Sequence, residues 1–244
     1  MNTTRRTVAT IPFSKAADPA HDEEALTLTY QLMDHYPDIL DGQHPIRRWE
    51  YGMALRTIRA WASTVHDFKE GPLRIMDVGG AGSGFWKALR LMTPMEVLVV
   101  DPGLPAGAVL GEGARLYLGT VEEYCAASHL GQFDVITAIS VVEHVVNVRP
   151  FLKAIRALLR PNGLLFLTTD YTNTEGEDVF HFHWMRERIY NAGRIRKLLD
   201  DARDIGFRSF GEADWSYHGH HVYDYSVCSV AVIRKDPNGQ HPRE

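Results

Sequence analysis

At 244 residues and 45% apolar content, the chain has material for one substantial core, so one domain with an appendage is expected. Its net charge of −5, with no block of Lys or Arg, excludes a groove that tracks phosphates, and no nucleic-acid partner is expected. Only Cys125 and Cys228 occur, without CxxC spacing, which excludes a disulfide framework and a thiolate zinc site and fits a reducing cytoplasm.

Residues 1–20 lack periodicity and read as a flexible arm; Arg5 and Arg6 are there but the apolar run of a secretory signal is not. No later segment approaches membrane-spanning length, so a cytoplasmic location is expected. Residues 22–36 read as a helix with Asp22 as cap and Ala25, Leu28 and Leu32 on one face, broken at Pro37. Residues 46–65 are helical in pattern, with Trp49, Met53, Ile58, Trp61 and Val65 recurring at three- to five-residue steps. Both helices fall within 21–70 and read as a cap that serves as a substrate lid. Arg47-Arg48-Trp49-Glu50-Tyr51 could meet a polar substrate, which makes Trp49 a substrate candidate; the plainer reading packs Trp49 on a sheet and leaves the arginines in water.

From residue 71 strands and helices alternate, the signature of a parallel sheet covered on both faces. Strands are predicted at 73–78, 96–101, 114–118, 133–140 and 163–169. Pro150 suits a first helical turn, and Phe151, Leu152, Ile155, Leu158 and Leu159 form the stripe behind it. Asn162-Gly163 turns the chain into the fifth strand, and a helix over 192–205 stops at Gly206. Segments 207–215 and 223–234 read as strands joined by a link too short for a parallel crossover, so the last strand should run antiparallel. The α/β domain is expected over 71–236, with a tail at 237–244.

The chemistry concentrates where the first of these strands ends. Asp77 closes an apolar run, and Gly79, Gly80, Gly82 and Gly84 follow before the helix former Phe85. Glycines allow a tight turn and a close approach of a ligand to the main chain. An acid beside that turn disfavours a phosphate and suits ammonium or hydroxyl groups. A second acid, Asp101, closes the next strand about 20 residues on, the position that grips ribose hydroxyls in nucleotide-binding α/β units.

In these features the chain resembles the class I S-adenosylmethionine-dependent methyltransferases. The resemblance rests on Asp77-Val78-Gly79-Gly80-Ala81-Gly82-Ser83-Gly84, Asp101, Phe133-Asp134-Val135-Ile136, Ser140-Val141-Val142-Glu143-His144-Val145 and Leu159-Arg160-Pro161-Asn162-Gly163-Leu164-Leu165, in the family's order over roughly 72–235. Ala81 and Ser83 stand where the commonest D-x-G-x-G-x-G form has glycine. The resemblance implies a Rossmann-like, seven-stranded methyltransferase sheet, mostly parallel with an antiparallel last strand, plus the N-terminal helical lid. It also implies S-adenosyl-L-methionine as cofactor. On the family's plan, the backbone at Gly79, Gly80, Ala81 and Gly82 meets the methionine part, with Asp77 organising the turn or meeting the ammonium group. Asp101 takes the ribose hydroxyls, Pro102 flanks the adenine, Thr120 and Val121 lie at the adenine edge, and Ser140 lies near the sulfonium.

Six of the twelve histidines, His144, His181, His183, His218, His220 and His221, fall in segments expected to face the substrate. Neutral imidazole accepts protons near neutral pH, so His144, His181 and His183 are the candidate bases. Trp184, Tyr217, His218 and His221 join Trp49 as substrate candidates. Glu143 has a plainer reading, as a helix start meeting the dipole. A metal held by Glu143, His144, His181 and His183 is disfavoured by Ser140, which replaces the first glutamate of the related Glu-x-x-Glu-His set, and no metal is expected. The expected reaction is methyl transfer to an O or N atom of a small molecule, a natural product, sugar or lipid precursor, by an enzyme that could form a homodimer. Two other readings stand beside it: a non-catalytic S-adenosylmethionine-binding subunit, and a nicotinamide-dependent oxidoreductase, disfavoured by Phe85 in the G-x-G-x-x-G frame and by the terminal hairpin.

Overall fold

The computed structural model describes residues 12–17, 22–41, 43–65, 71–90, 95–105, 107–108, 110, 113–172, 179–182, 185–215 and 226–236. Six helices are described: α1 (Glu23–His35), α2 (Arg47–Val65), α3 (Phe85–Arg90), α4 (Val121–Ala127), α5 (Val148–Leu158) and α6 (Ala192–Asp204). The strands are β1 (Pro12–Ala16), β2 (Leu73–Val78), β3 (Met95–Asp101), β4 (Ala114–Leu118), β5 (Phe133–Ala138) and β6 (Leu159–Tyr171). They continue with β7 (Val179–Phe182), β8 (Met185–Arg188), β9 (Phe207–Ser209), β10 (Glu212–Asp214) and β11 (Ser226–Arg234).

The centre of the sheet runs β4-β3-β2-β5-β6-β11, parallel up to β6. β11 pairs antiparallel with β6 along Ser226–Ile233, as the short tail link requires. All six residues of β5 are buried, the continuous burial of a central parallel strand covered on both faces. One face packs beneath α1, α2 and α3 around Trp49, Ile58, Phe85, Ile75 and Phe166. The other packs beneath α4, α5 and α6 around Val121, Phe151, Leu158, Leu198 and Leu165. The five core strands begin and end close to their expected places, except that β6 starts earlier, at Leu159, and passes its bend at Asn162 (φ 61°) within the strand.

Three expectations are corrected. The arm at 1–20 is not free over 12–17: β1 pairs antiparallel with β11 and parallel with β10, making a nine-stranded sheet rather than a seven-stranded one. Buried Ser14 fixes it there, its hydroxyl accepting from Ala231 N at 2.9 Å. The segment 207–215 is not one strand: β9 pairs with β11, the chain turns at Gly211 (φ 72°), and β10 moves outward to β1. Finally, Asp22 precedes α1 but makes no side-chain cap. Its carboxylate is drawn inward, accepting from Lys15 Nζ at 2.9 Å and Trp49 Nε1 at 2.6 Å, because a buried lysine and indole N–H need a partner more than a solvated helix end does. The same contact decides the role of Trp49. It is 1% exposed and built into the core under α1, so it is a packing residue and not a substrate contact.

Candidate functional site

Parallel strands β2, β3, β5 and β6 deliver their carboxyl ends to one edge, where ligands of open α/β sheets bind. At that edge the glycine turn hangs from the sheet by Gly79 N, which donates to Val100 O at 2.8 Å. Gly79 (φ 70°) and Gly84 (φ 67°) adopt the left-handed conformation that glycine tolerates. A Cβ on Gly80 would lie 1.9 Å from Asp77 Oδ2, whereas one on Gly82 would meet nothing within 4 Å. The first absence of a side chain lets the acid sit against the turn, and the second leaves the outer side of the turn open.

Asp77 is 1% exposed. Its Oδ1 accepts from the Thr137 hydroxyl at 2.7 Å, while Oδ2 is buried without a partner. Burial pushes its pKa up to about 7, against the Thr137 hydrogen bond and with help from the charge of Asp101. An acid held this way accepts a cationic or hydrogen-bonding group brought to the turn. Asp101 is only half-buried and bridges two loops, Oδ2 accepting from Ala81 N at 3.2 Å and Oδ1 from Gly103 N at 2.7 Å. Each oxygen keeps a lone pair for a further donor, the arrangement that two neighbouring hydroxyls require. Pro102 is exposed beside it. Gly119 N donates to Asp101 O at 3.2 Å, bringing the start of α4 alongside. Here Thr120 caps α4 in a capping box with Glu123, its N–H donating to Glu123 Oε2 at 2.7 Å, and Val121 is 2% exposed in the core, so neither side chain is free to bond a ligand.

The second half of the edge is built from farther apart. Ser140 follows β5 in a left-handed conformation (φ 50°), its N–H donating to Thr168 Oγ1 at 3.0 Å. Its hydroxyl donates to Glu50 Oε1 at 2.8 Å and accepts from Arg47 Nη1. Glu50 is fully buried, and it also accepts from the Thr168 hydroxyl and from Arg47 Nη1 at 2.8 Å. Arg47 is therefore not solvated, in contrast to the exposed Arg48. Tyr51 Oη donates to Ser83 O at 2.7 Å and Gln43 Nε2 to Gly82 O at 3.3 Å, so the start of α2 and the loop before it close over the glycine turn. Burial raises the Tyr51 pKa, keeping its hydroxyl a donor. Glu50 was legible only as an acid between two large aromatics, in a helix whose other charged residues are arginines.

Glu143 does not meet a helix dipole in solvent. It lies in a short 3₁₀ turn (Val142–His144) and is 2% exposed, whereas the adjacent His144 is exposed, so the two side chains do not act as a pair. Burial pushes the Glu143 pKa well above the ordinary carboxylate range, and the charges of Asp170 and Glu50 add to the rise. His181 lies on β7, paired with Arg186, in a segment whose side chains are outside the description. His183, Trp184, Tyr217, His218, His220 and His221 lie outside the described residues. Among the described residues no group of three or more His, Cys, Asp or Glu could hold a metal ion, and no helix is long and apolar enough to cross a membrane.

The comparisons with known proteins agree with this geometry. The family described as "Methyltransferase domain" matches residues 51–208, well over half of the chain. The chain belongs to this family of S-adenosylmethionine-dependent methyltransferases. Among curated proteins, "Ubiquinone biosynthesis O-methyltransferase" of Bradyrhizobium diazoefficiens is 35% identical over 106 residues, covering 41% of this chain and 40% of that protein. The chain thus spans well under half the length of that relative. Among solved structures, the [4+2]-cyclase SpnF superposes with TM-score 0.59 at 14% identity, over 93% of this chain and 99% of its own. A Burkholderia thailandensis 1,6-didemethyltoxoflavin-N1-methyltransferase, solved with S-adenosylhomocysteine, gives TM-score 0.52 at 19% identity over 91% and 93%. At these identities the two structures establish the fold alone.

The residues at the edge fit S-adenosylmethionine. The unpartnered Asp77 Oδ2 lies against Gly80, the Cβ side of Gly82 is open, and a half-exposed acid stands beside the turn at the next strand end.

Proposed function

We propose that this chain transfers a methyl group from S-adenosylmethionine to an oxygen or nitrogen atom of a small molecule such as a natural product, sugar or lipid precursor. The observation that carries the reading is the pairing of Asp77 and Asp101 at adjacent strand ends, joined through the glycine turn by the Ala81 N–Asp101 hydrogen bond. When bound, S-adenosylmethionine supplies a methyl group on a sulfonium, open to in-line displacement. Asp101 holds the ribose hydroxyls, and Pro102 and the backbones of Thr120 and Val121 flank the adenine. Backbone groups at Gly79, Gly80, Ala81 and Gly82 hold the amino-acid end, with Asp77 Oδ2 receiving its ammonium group. Ser140, braced by Glu50 and Arg47, sets the floor beneath the sulfonium. Alignment and exclusion of water supply most of the acceleration in such a displacement. His144, His181, His183, Trp184, Tyr217, His218 and His221 are the proposed acceptor-facing wall.

An acceptor at oxygen or nitrogen agrees with the printed functions of two similar proteins, an O-methyltransferase and an N1-methyltransferase. The likeness to a [4+2]-cyclase favours a second reading, in which the fold hosts a reaction without methyl transfer. Incubation with methyl-labelled S-adenosylmethionine and a metabolite extract, followed by mass spectrometry of labelled products, separates the two. A labelled small molecule formed together with S-adenosylhomocysteine is expected; binding of S-adenosylhomocysteine without any label transfer overturns the catalytic reading.

A further inference from the structure

The carboxyl edge beyond β5 and β6 holds two buried glutamates, Glu50 and Glu143. Glu50 is matched by Arg47, but Glu143 is not: its Oε2 is buried and makes no hydrogen bond. Desolvating a carboxyl without a partner costs more than a buried hydrogen bond returns, so a fold keeps such an atom at a cost in stability. Among the described residues, a backbone hydrogen bond and the Thr169 hydroxyl offset only part of that cost, since burial still dominates. Its position argues that the missing partner of Oε2 is a ligand. Glu143 sits on the turn directly after β5, three residues past Ser140, at the edge where the acceptor must approach. The hydroxyl of Thr169, on β6, faces the Glu143 carboxyl, yet Oε2 stays without a hydrogen bond.

We propose that Glu143 takes the proton of the methyl acceptor through Oε2, and that the acceptor presents to it an uncharged or cationic O–H or N–H group. The inference rests on the methyl-transfer reading and supplies the base that reading leaves open. In the step, the O–H or N–H bond breaks and its proton passes to Glu143 Oε2. The electron pair left on oxygen or nitrogen forms the new bond to the methyl carbon, while the pair of the old bond stays with sulfur. One positive and one negative charge disappear together, which a desolvated site favours. The charged and titratable groups around Glu143 are Asp170 on β6, Glu50 and Arg47 on α2, and Cys228 on β11. Because Arg47 is already bound to Glu50, an anionic acceptor would meet the Glu143 carboxyl with no cation left to offset it, and the site selects against it.

Glu143→Gln removes the proton acceptor while keeping the shape, and Glu143→Asp keeps the chemistry with a shorter reach. Methyl transfer from labelled S-adenosylmethionine into a metabolite extract should fall about 100-fold or more in Glu143→Gln at pH 7 and partly recover in Glu143→Asp. The wild-type rate should rise with pH as Glu143 loses its proton, and that limb should vanish in Glu143→Gln. Calorimetry with S-adenosylhomocysteine should show an affinity within about twofold of wild type, and the melting temperature should hold or rise, since an unpaired buried acid is removed. Carbon-13 spectra of glutamate-labelled protein should show one carboxyl titrating above the ordinary range and absent from Glu143→Gln. Transfer within about threefold of wild type overturns the proposal, because a general base contributes far more. So does a collapse of melting temperature or of S-adenosylhomocysteine binding, which makes Glu143 structural, or a carboxyl that titrates in the ordinary range. Wild-type protein that binds S-adenosylhomocysteine but labels nothing breaks the methyl-transfer reading itself, and this inference with it.

Discussion

The two halves of the carboxyl edge are made differently. The half at β2 and β3 is almost contiguous: Asp77, the glycine turn and Asp101 lie within 25 residues, and the turn is tied to the acid 20 residues away. The half at β5 and β6 is assembled from afar, with Ser140 bonded to Glu50 across 90 residues and Thr168 to Glu50 across 118. The first half is the one proposed to bind the cofactor, and its form is local in the chain. The second, proposed to face the acceptor, is held by a buried ion pair that only this packing of α2 on the sheet creates.

Removing Glu50 is the strongest way to break that contrast. Glu50→Ala leaves Arg47 without its counter-ion and Ser140 and Thr168 without an acceptor, and should cost about 3–5 kcal/mol. Thermal unfolding would read this as a loss on the order of 10 °C; a change under about 2 °C would show that the far half needs no such brace.

Asp77→Asn should act in the opposite direction on the free protein. The folded pKa of about 7 lies above the ordinary 3.8, so between those values the folded chain holds a proton that the unfolded chain has lost. Stability from this group therefore falls as pH rises through that window and stays low above it. The asparagine variant should overtake wild type by an amount on the order of a few kcal/mol at pH 8, and differ least near pH 4. Melting curves across that range check the sign, and calorimetry should show weakened S-adenosylmethionine binding in the same variant.

Asp101→Ala should cost about 1–2 kcal/mol of stability, by freeing Ala81 N and Gly103 N, and weaken S-adenosylhomocysteine binding by about 30- to 100-fold, the loss of two hydrogen bonds to a charged acceptor. Unchanged affinity would remove the ribose contact and with it the distinction between the halves. The smallest effect is expected at the sheet margin, where Ser14→Ala should cost about 1 kcal/mol by leaving Ala231 N without its buried acceptor.

Much of the fold was legible because its signals are local. Helix α2 was expected over 46–65 and spans Arg47–Val65; β2 and β4 fall at their expected residues; Gly206 (φ 100°) ends α6 as its glycine suggested. In the near half of the site, the acid–glycine–acid spacing alone pointed to a nucleoside. In the far half it did not. Glu143-His144 read as a pair, yet the short 3₁₀ turn sends one side chain inward and leaves the other exposed.

What the sequence by itself determined is the order of strands and helices, the reversal of β11 and the chemistry of the glycine turn, because periodicity, turn residues and link length act over a few residues. Tertiary structure alone decided that β1 joins the sheet, that Asp22 serves Lys15 and Trp49 instead of a helix end, and that Glu50 is the floor under Ser140. Those outcomes depend on which polar groups are buried together, and burial is settled only when separate elements pack against one another, from 27 residues apart for Asp22 and Trp49 to 217 for Ser14 and Ala231.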